Sequence, residues 1–337
     1  MDPLKPDDPT ELGGITLRGR LGRGGMGIVF YGITPEGEPV AVKTVRAEVL
    51  ERSGALGRFD RETIAMGMVQ SPRVANLITT SGPDDTPPWF ALEYVRGLNL
   101  AEYITEYGPL SADLGAALGI AVAEALAEIH AAGIRHRDLK PANILLGADG
   151  PRVIDFGLAA LTEAPSDLTH TGDRIGTPKC MAPEQANSPK DLPPATDVYA
   201  LGAVLVYALA AHYPYERATL QALLFAITDA ATPPDLSGVP PALIAPVTGM
   251  LAHAAAARPT LEEVAAELAE VLRPADVAGA LRRLAEVTYR ERETDPPPAD
   301  PPRQRPVRLP EIPEVPSALV ARIAEDLRRD YRRDARF

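Results

Sequence analysis

Cysteine is almost absent: Cys180 is the single one in 337 residues. One thiol excludes an internal disulfide framework and any cysteine-rich zinc site. The five histidines show no metal-ligand spacing. Aromatics make up only 5% of the chain, within a hydrophobic total of 45%, so the core must be packed mainly from Ala, Leu and Val. Positive charge is short as well, with 34 Lys and Arg against 46 Asp and Glu and a net charge of -12. Such a field repels nucleic acid and anionic lipid, so neither is expected as a bulk partner. No stretch supplies the ~18 uncharged apolar residues of a spanning helix, and no transmembrane segment is expected. The start MDPLKPDDPTELGG has no charged-then-apolar order of a signal peptide. Together these absences point to a reducing, cytoplasmic setting.

What is present exceeds one small core and predicts two lobes with extensions. Residues 1–13 read as a flexible arm. From 14 to about 95, ITLRGRL, IVFYGIT and PVAVKTV are strand candidates, β-branched and aromatic runs bounded by turn residues. Between them and the next strand, residues 47–70 carry helical spacing at Phe59, Ile64, Met66 and Met68. From 96 to about 272 the chain turns helical, as in SADLGAALGIAVAEALAEIHAAG and LEEVAAELAEVL. The predicted class is therefore α+β, a small β-rich lobe followed by a larger α-helical one. Residues 273–295 read as an additional helix. Nine prolines among residues 296–316 read as an extended linker. Residues 317–337 place Leu319, Ile323, Leu327 and Tyr331 on one stripe of an amphipathic helix that carries six Arg against four acidic residues.

The run LGRGGMGIV contains Gly22, Gly24 and Gly27 in G-x-G-x-x-G spacing. A dinucleotide fold would need a helix next, whereas IVFYGIT has strand propensity, and no G-x-x-x-x-G-K-[ST] occurs. What remains is a glycine-rich hairpin whose backbone N–H groups approach phosphates, or an ordinary flexible turn. Lys43 then ends the alternating segment VAVK as a compact charge suited to two phosphates, and Glu62 on the predicted helix is its candidate carboxylate. Singly, each reads as a surface residue. Further on, HRDLKPAN at residues 136–143 sets titratable groups and a proline between AAGIR and the apolar ILL.

In this order, with DFG from Asp155 and APE to Glu184 downstream, the chain resembles the eukaryotic-type protein kinase family over roughly residues 14–272. The resemblance implies the bilobal kinase fold and phosphotransfer from ATP with Mg2+ or Mn2+. It makes Asp138 the acceptor of the substrate hydroxyl proton and Lys140 the offset for charge on the transferred group. Asn143 and Asp155 become the metal ligands, and Lys43 and Glu62 the phosphate-orienting pair. Leu21, Gly22, Gly24, Gly27, Val29 and Ala41 would cover the nucleotide, with Leu145 beneath the adenine. Leu92 would be the gatekeeper, and the backbone of Glu93 and Val95 would bind the adenine edge. D-L-K-P-A-N resembles serine/threonine kinases, so protein Ser/Thr hydroxyls are the implied substrates.

The resemblance also implies an activation segment from Asp155 to Glu184. Phosphate on Thr169 or Thr171 would pair with Arg137, and a homodimer would serve autophosphorylation. Thr177 would hydrogen-bond Asp138 and Lys140, Glu184 would pair with Arg258, and Asp197 would hold the catalytic loop. Cys180 stands where the family usually has tyrosine, read either as an exposed redox site or as a tolerated small residue. The Ala, Pro and Arg richness and GTPKCMAPEQA look like bacterial, Streptomyces-type kinases. Two other classes are open: a scaffold that has lost catalysis, against which the presence of Lys43, Asp138, Asn143 and Asp155 stands, and a small-molecule phosphotransferase, which generally lacks the GTP-to-APE segment.

Overall fold

A computed structural model describes residues 1–24, 27–46, 55–82, 85–156, 178–187, 192–272, 276–292 and 295. Met1–Ala299 form one compact unit, and the second, Asp300–Phe337, falls outside the described residues. The proline-rich run and the terminal amphipathic stretch therefore lie beyond what can be described. So do Thr169, Thr171 and Thr177.

The first lobe is a six-stranded antiparallel sheet built from β1 (Glu11–Leu12), β2 (Ile15–Arg23), β3 (Ile28–Ile33) and β4 (Pro39–Thr44), the helix α1 (Ala55–Met68), and then β5 (Leu77–Thr80) and β6 (Trp89–Glu93). The strand order is β1-β2-β3-β4-β6-β5. The two-residue period of a strand sorts β4: Val40 and Val42 are buried with Ile15, Leu17, Phe30, Trp89 and Ala91, while Ala41 and Lys43 keep part of their surface on the opposite face. On that other side Phe90 and Leu92 join Phe59 and Met66 of α1 in the main core.

Two expectations are corrected here. The arm before residue 14 is not loose: Asp2 and Arg20 exchange backbone hydrogen bonds at 2.9 and 2.8 Å, and β1 pairs with β2. Arg20 Nε donates to Asp8 at 2.6 Å, and both side chains are largely buried, so the acidic arm is held by a basic residue on the strand it borders. On α1, Phe59, Thr63 and Met66 form the buried stripe, whereas Ile64 and Met68 are 62% and 68% exposed. Helical spacing marks stripes but does not say which one meets the core.

The second lobe comprises α2 (Leu100–Tyr107), α3 (Ala112–Ala131), the hairpin β7 (Ile144–Gly147) and β8 (Gly150–Val153), α4 (Pro183–Asn187), α5 (Ala195–Ala210), α6 (Leu220–Thr228), α7 (Pro241–Met250), α8 (Leu261–Leu272) and α9 (Val277–Thr288). Asn99 starts α2 with a capping box: it accepts from Glu102 N at 2.9 Å, and Glu102 accepts from Asn99 N at 2.8 Å. Thr260 and Glu263 repeat the device ahead of α8. At the centre runs α3, packed on α5, α8 and α9. It is the one described helix long and apolar enough to cross a membrane, but 72% of its apolar window is buried in the protein. Each Leu fully removed from water there contributes about 1.5–3 kcal/mol, so this helix is accounted for as core.

Candidate active site

Three elements bring charge together between the lobes. β4 delivers Lys43, the chain after β8 delivers Asp155, and the loop before β7 delivers Asp138, Lys140 and Asn143. Lys43 Nζ lies 2.9 Å from Asp155 Oδ2, with side chains 12% and 31% exposed. Burial pushes the Asp155 carboxyl up, but the Lys43 ammonium outweighs it and holds it below its ordinary value. Lys140 Nζ donates to Asp138 Oδ2 at 2.6 Å. Asn143 gives its amide N–H to the Asp138 carbonyl at 2.8 Å, which leaves its side-chain oxygen as an acceptor. Glu62 is half-buried on α1.

The loop that carries Asp138 is held by a single buried carboxylate. Asp197, 1% exposed on α5, accepts from Arg137 N on Oδ1 at 2.9 Å and from His136 N on Oδ2 at 2.9 Å, and His130 Nε2 of α3 sits 2.7 Å from Oδ2. Burial alone would raise the Asp197 carboxyl, yet the His130 hydrogen bond with the nearby N–H groups brings it below its usual range. The His136 ring is fully buried. Its Nδ1 accepts from Asp138 N at 3.3 Å, so Nε2 carries the proton and donates to Ile154 O at 3.1 Å. Arg137 and Asp155 both adopt left-handed backbone, φ 63° and 61°, which costs non-glycine residues on the order of 1 kcal/mol each. Asp197 fixes the first and Lys43 contacts the second.

Around the cleft, Leu21, Val29, Ala41 and Leu145 are partly exposed and Leu92 is 5% exposed, with Ala41 paired to Leu92 and Val29 to Lys43 across the sheet. Gly22 and Gly24 border open space, whereas a side chain on Gly27 would reach within 1.7 Å of the Thr44 carbonyl. The last glycine thus serves close packing of β3 on β4, and the first two leave room above the cleft. Below it, Arg258 has all five donors engaged: Glu184 Oε1 and Oε2 at 2.7 and 2.8 Å, and the carbonyls of Ala252, Ala195 and His253. Thr196 adds a hydroxyl to Glu184 at 2.8 Å.

Residue patterns left several participants unseen. His130 is a lone histidine near a helix end. Gln185, which donates to Arg137 O at 2.7 Å, follows a motif without being marked by it. Cys180 departs from the exposed position considered for it: it is 7% exposed, and burial with the Asp138 charge pushes its thiol up to about 12. At neutral pH that leaves roughly a thousandfold less thiolate than an ordinary cysteine. Native protein is therefore expected to resist iodoacetamide, with labelling appearing only on unfolding; fast native alkylation would contradict the burial.

A family model described as a protein kinase domain matches residues 15–268. The chain is 39% identical over 269 residues to the serine/threonine-protein kinase AfsK of Streptomyces coelicolor, covering 80% of this chain and 33% of that protein. It is also 39% identical over 268 residues to the probable serine/threonine-protein kinase PkwA of Thermomonospora curvata, covering 80% and 35%. The chain thus spans about a third of the length of the curated relatives it matches. Among solved structures, the PknI kinase domain of Mycobacterium tuberculosis is similar with a TM-score of 0.61 and 26% identity, over 77% of this chain and 97% of that one.

Proposed function

The chain belongs to the protein kinase domain family, and on that premise we propose that it transfers the γ-phosphate of ATP to serine or threonine hydroxyls of proteins. The observation that carries this is the convergence, on a loop fixed by Asp197, of the Asp138–Lys140 contact with the Lys43–Asp155 pair opposite. ATP as the phosphoryl donor follows from the family; the residue roles are our assignment.

In this reading Asp138 orients the attacking hydroxyl and takes its proton, while Lys140 balances negative charge on the group in flight. Lys43 contacts the phosphates, oriented by Glu62 and Asp155. The backbone of Glu93 and Val95 meets the adenine edge between the apolar plates Val29, Ala41 and Leu145. The open space at Gly22 and Gly24 supports a hairpin that lies over phosphates. The donor set suits Mg2+: the Asn143 carbonyl oxygen is left open by its amide contact, and Asp155 is a hard carboxylate held deprotonated by Lys43. These two residues would hold the ion, which when bound neutralises phosphate charge. In the same proposal the kinase works in the cytoplasm, as its cysteine content suggests, and pairs with a second copy for autophosphorylation.

Incubation with Mg-ATP followed by intact mass and phosphopeptide mapping tests it. The expected result is phosphate on Thr169 or Thr171, lost in the Thr169→Ala/Thr171→Ala double variant. Both threonines bare in a protein that labels others would remove the loop switch. ATP consumption with a phosphorylated metabolite and no labelled protein would replace the substrate class, and ATP binding without turnover would favour a scaffold.

A further inference from the structure

The kinase-domain match ends at residue 268, yet the described chain continues and returns to the linker between the lobes. α9 buries Gly279, Ala280, Leu284, Ala285 and Thr288, and it packs on α3 and the β7–β8 hairpin. The next residues run along the linker and α2. Tyr103 donates its hydroxyl to Val287 O at 3.4 Å, and the Arg290 guanidinium lies 5.4 Å above the Tyr107 ring. Arg292 then pairs with Glu102. A side chain added at Gly97, φ +124°, would meet Leu146 O at 2.3 Å and the Tyr289 ring at 3.6 Å, so the linker passes between the hairpin backbone and Tyr289.

Arg292 and Asp295 are tied to each other by two hydrogen bonds. Asp295 N donates to Arg292 O at 2.9 Å, and Arg292 N donates to Asp295 Oδ2 at 3.0 Å. The other carboxylate oxygen, Oδ1, accepts the Tyr94 hydroxyl at 2.6 Å, a contact between residues 201 apart in sequence. Tyr94 also packs edge-on against Tyr31 of β3, ring centroids 5.0 Å apart. It stands between Glu93 and Val95.

We propose that residues 277–292, together with Asp295, form a strap that fixes the interlobe linker from outside the catalytic domain, and that Asp295 is a positioning residue of the nucleotide site acting through Tyr94. The inference rests on the reading in which the backbone of Glu93 and Val95 meets adenine. A linker containing a glycine in a conformation only glycine adopts easily has freedom that must be lost when those backbone groups bind a base. Tying Tyr94 to the first lobe through Tyr31 and to the strap through Asp295 removes that freedom beforehand. Less of the nucleotide's interaction is then spent on ordering.

The test uses the full chain. Asp295→Ala is expected to raise the Kd and KM for ATP roughly three- to tenfold, the size of one ordinary net hydrogen bond, because only part of the Tyr94–Asp295 bond is transmitted to the nucleotide site. The change in KM should exceed that in kcat, and amides 94–99 should exchange hydrogen faster. Asp295→Asn keeps an acceptor oxygen for Tyr94 and should restore most of the affinity, while Arg292→Ala should shift it in the same direction as Asp295→Ala. A purely stabilising contact would lower the unfolding temperature and leave ATP affinity as it was. Unchanged affinity in Asp295→Ala overturns the strap, with or without faster exchange. A wild-type chain that binds ATP but moves no phosphate would instead overturn the catalytic reading, while affinity and exchange would still judge the strap.

Discussion

Asp138→Asn is expected to lower phosphotransfer at saturating ATP by about a hundred- to ten-thousandfold, the range a positioned general base contributes, with ATP affinity nearly unchanged. The substitution conserves shape and removes only the negative charge that we propose accepts the hydroxyl proton. The backbone around it stays held, because Asn143 grips the carbonyl of residue 138 at 2.8 Å and Asp197 grips the preceding N–H groups. Lys140 loses its 2.6 Å partner, but with side chains 38% and 53% exposed the two are solvated and their pairing adds little stability. In the proposed reading nucleotide binding rests on other elements, the β4 lysine and the linker after β6. Single-turnover rates with a protein substrate, beside equilibrium ATP binding, separate the two effects. Activity within tenfold of wild type, on the order of 1.4 kcal/mol of barrier, would remove Asp138 from the proton-transfer role.

The strands of the first lobe were legible because β-branched and aromatic runs alternate with turn residues: PVAVKTV reads as a strand, and the structure pleats it so that Val40 and Val42 are buried. HRDLKPAN and APE located Asp138, Asn143 and Glu184 because a motif names positions relative to each other. The partners of those residues were legible only where another motif named them, as Arg258 and Asp197 were. His130 carries no pattern that would link it to Asp197, 67 residues away. The Tyr94–Asp295 bond joins the linker to a stretch with neither periodicity nor motif, so nothing local signals it. The arm failed for a related reason. Proline and acidic residues suggested solvation, and the force that orders them is Arg20, which sits beyond the arm itself. Ile64 and Met68 failed because two stripes of one helix were both apolar, and only the sheet beside it selects which is buried.

Asp197→Asn is expected to destabilise the folded protein by about 3 kcal/mol or more and to lower activity along with it. The carboxylate receives two backbone N–H groups and the His130 ring with 1% of its surface exposed. Hydrogen bonds to a buried charge are worth about 1.5–3 kcal/mol each, and a donor left without an acceptor costs about 1–3 kcal/mol. An amide keeps one acceptor oxygen but turns an NH2 toward groups that are donors, so one backbone N–H or His130 must lose its partner. The left-handed backbone at Arg137 is held on its N–H side by Asp197 and on its carbonyl side by Gln185, so losing the first contact loosens the residue that precedes Asp138. The pH dependence gives the sign. Asp197 in the folded state lies below its unfolded value of 3.8, so its contribution is complete above that value and is lost as pH falls through the lower folded one. The stability gap between wild type and Asp197→Asn, read from urea unfolding, should therefore be present at pH 7 and narrow below about pH 4. A gap that persists undiminished in acid, or one under about 1 kcal/mol at pH 7, would mean that the carboxylate's charge does not hold the loop.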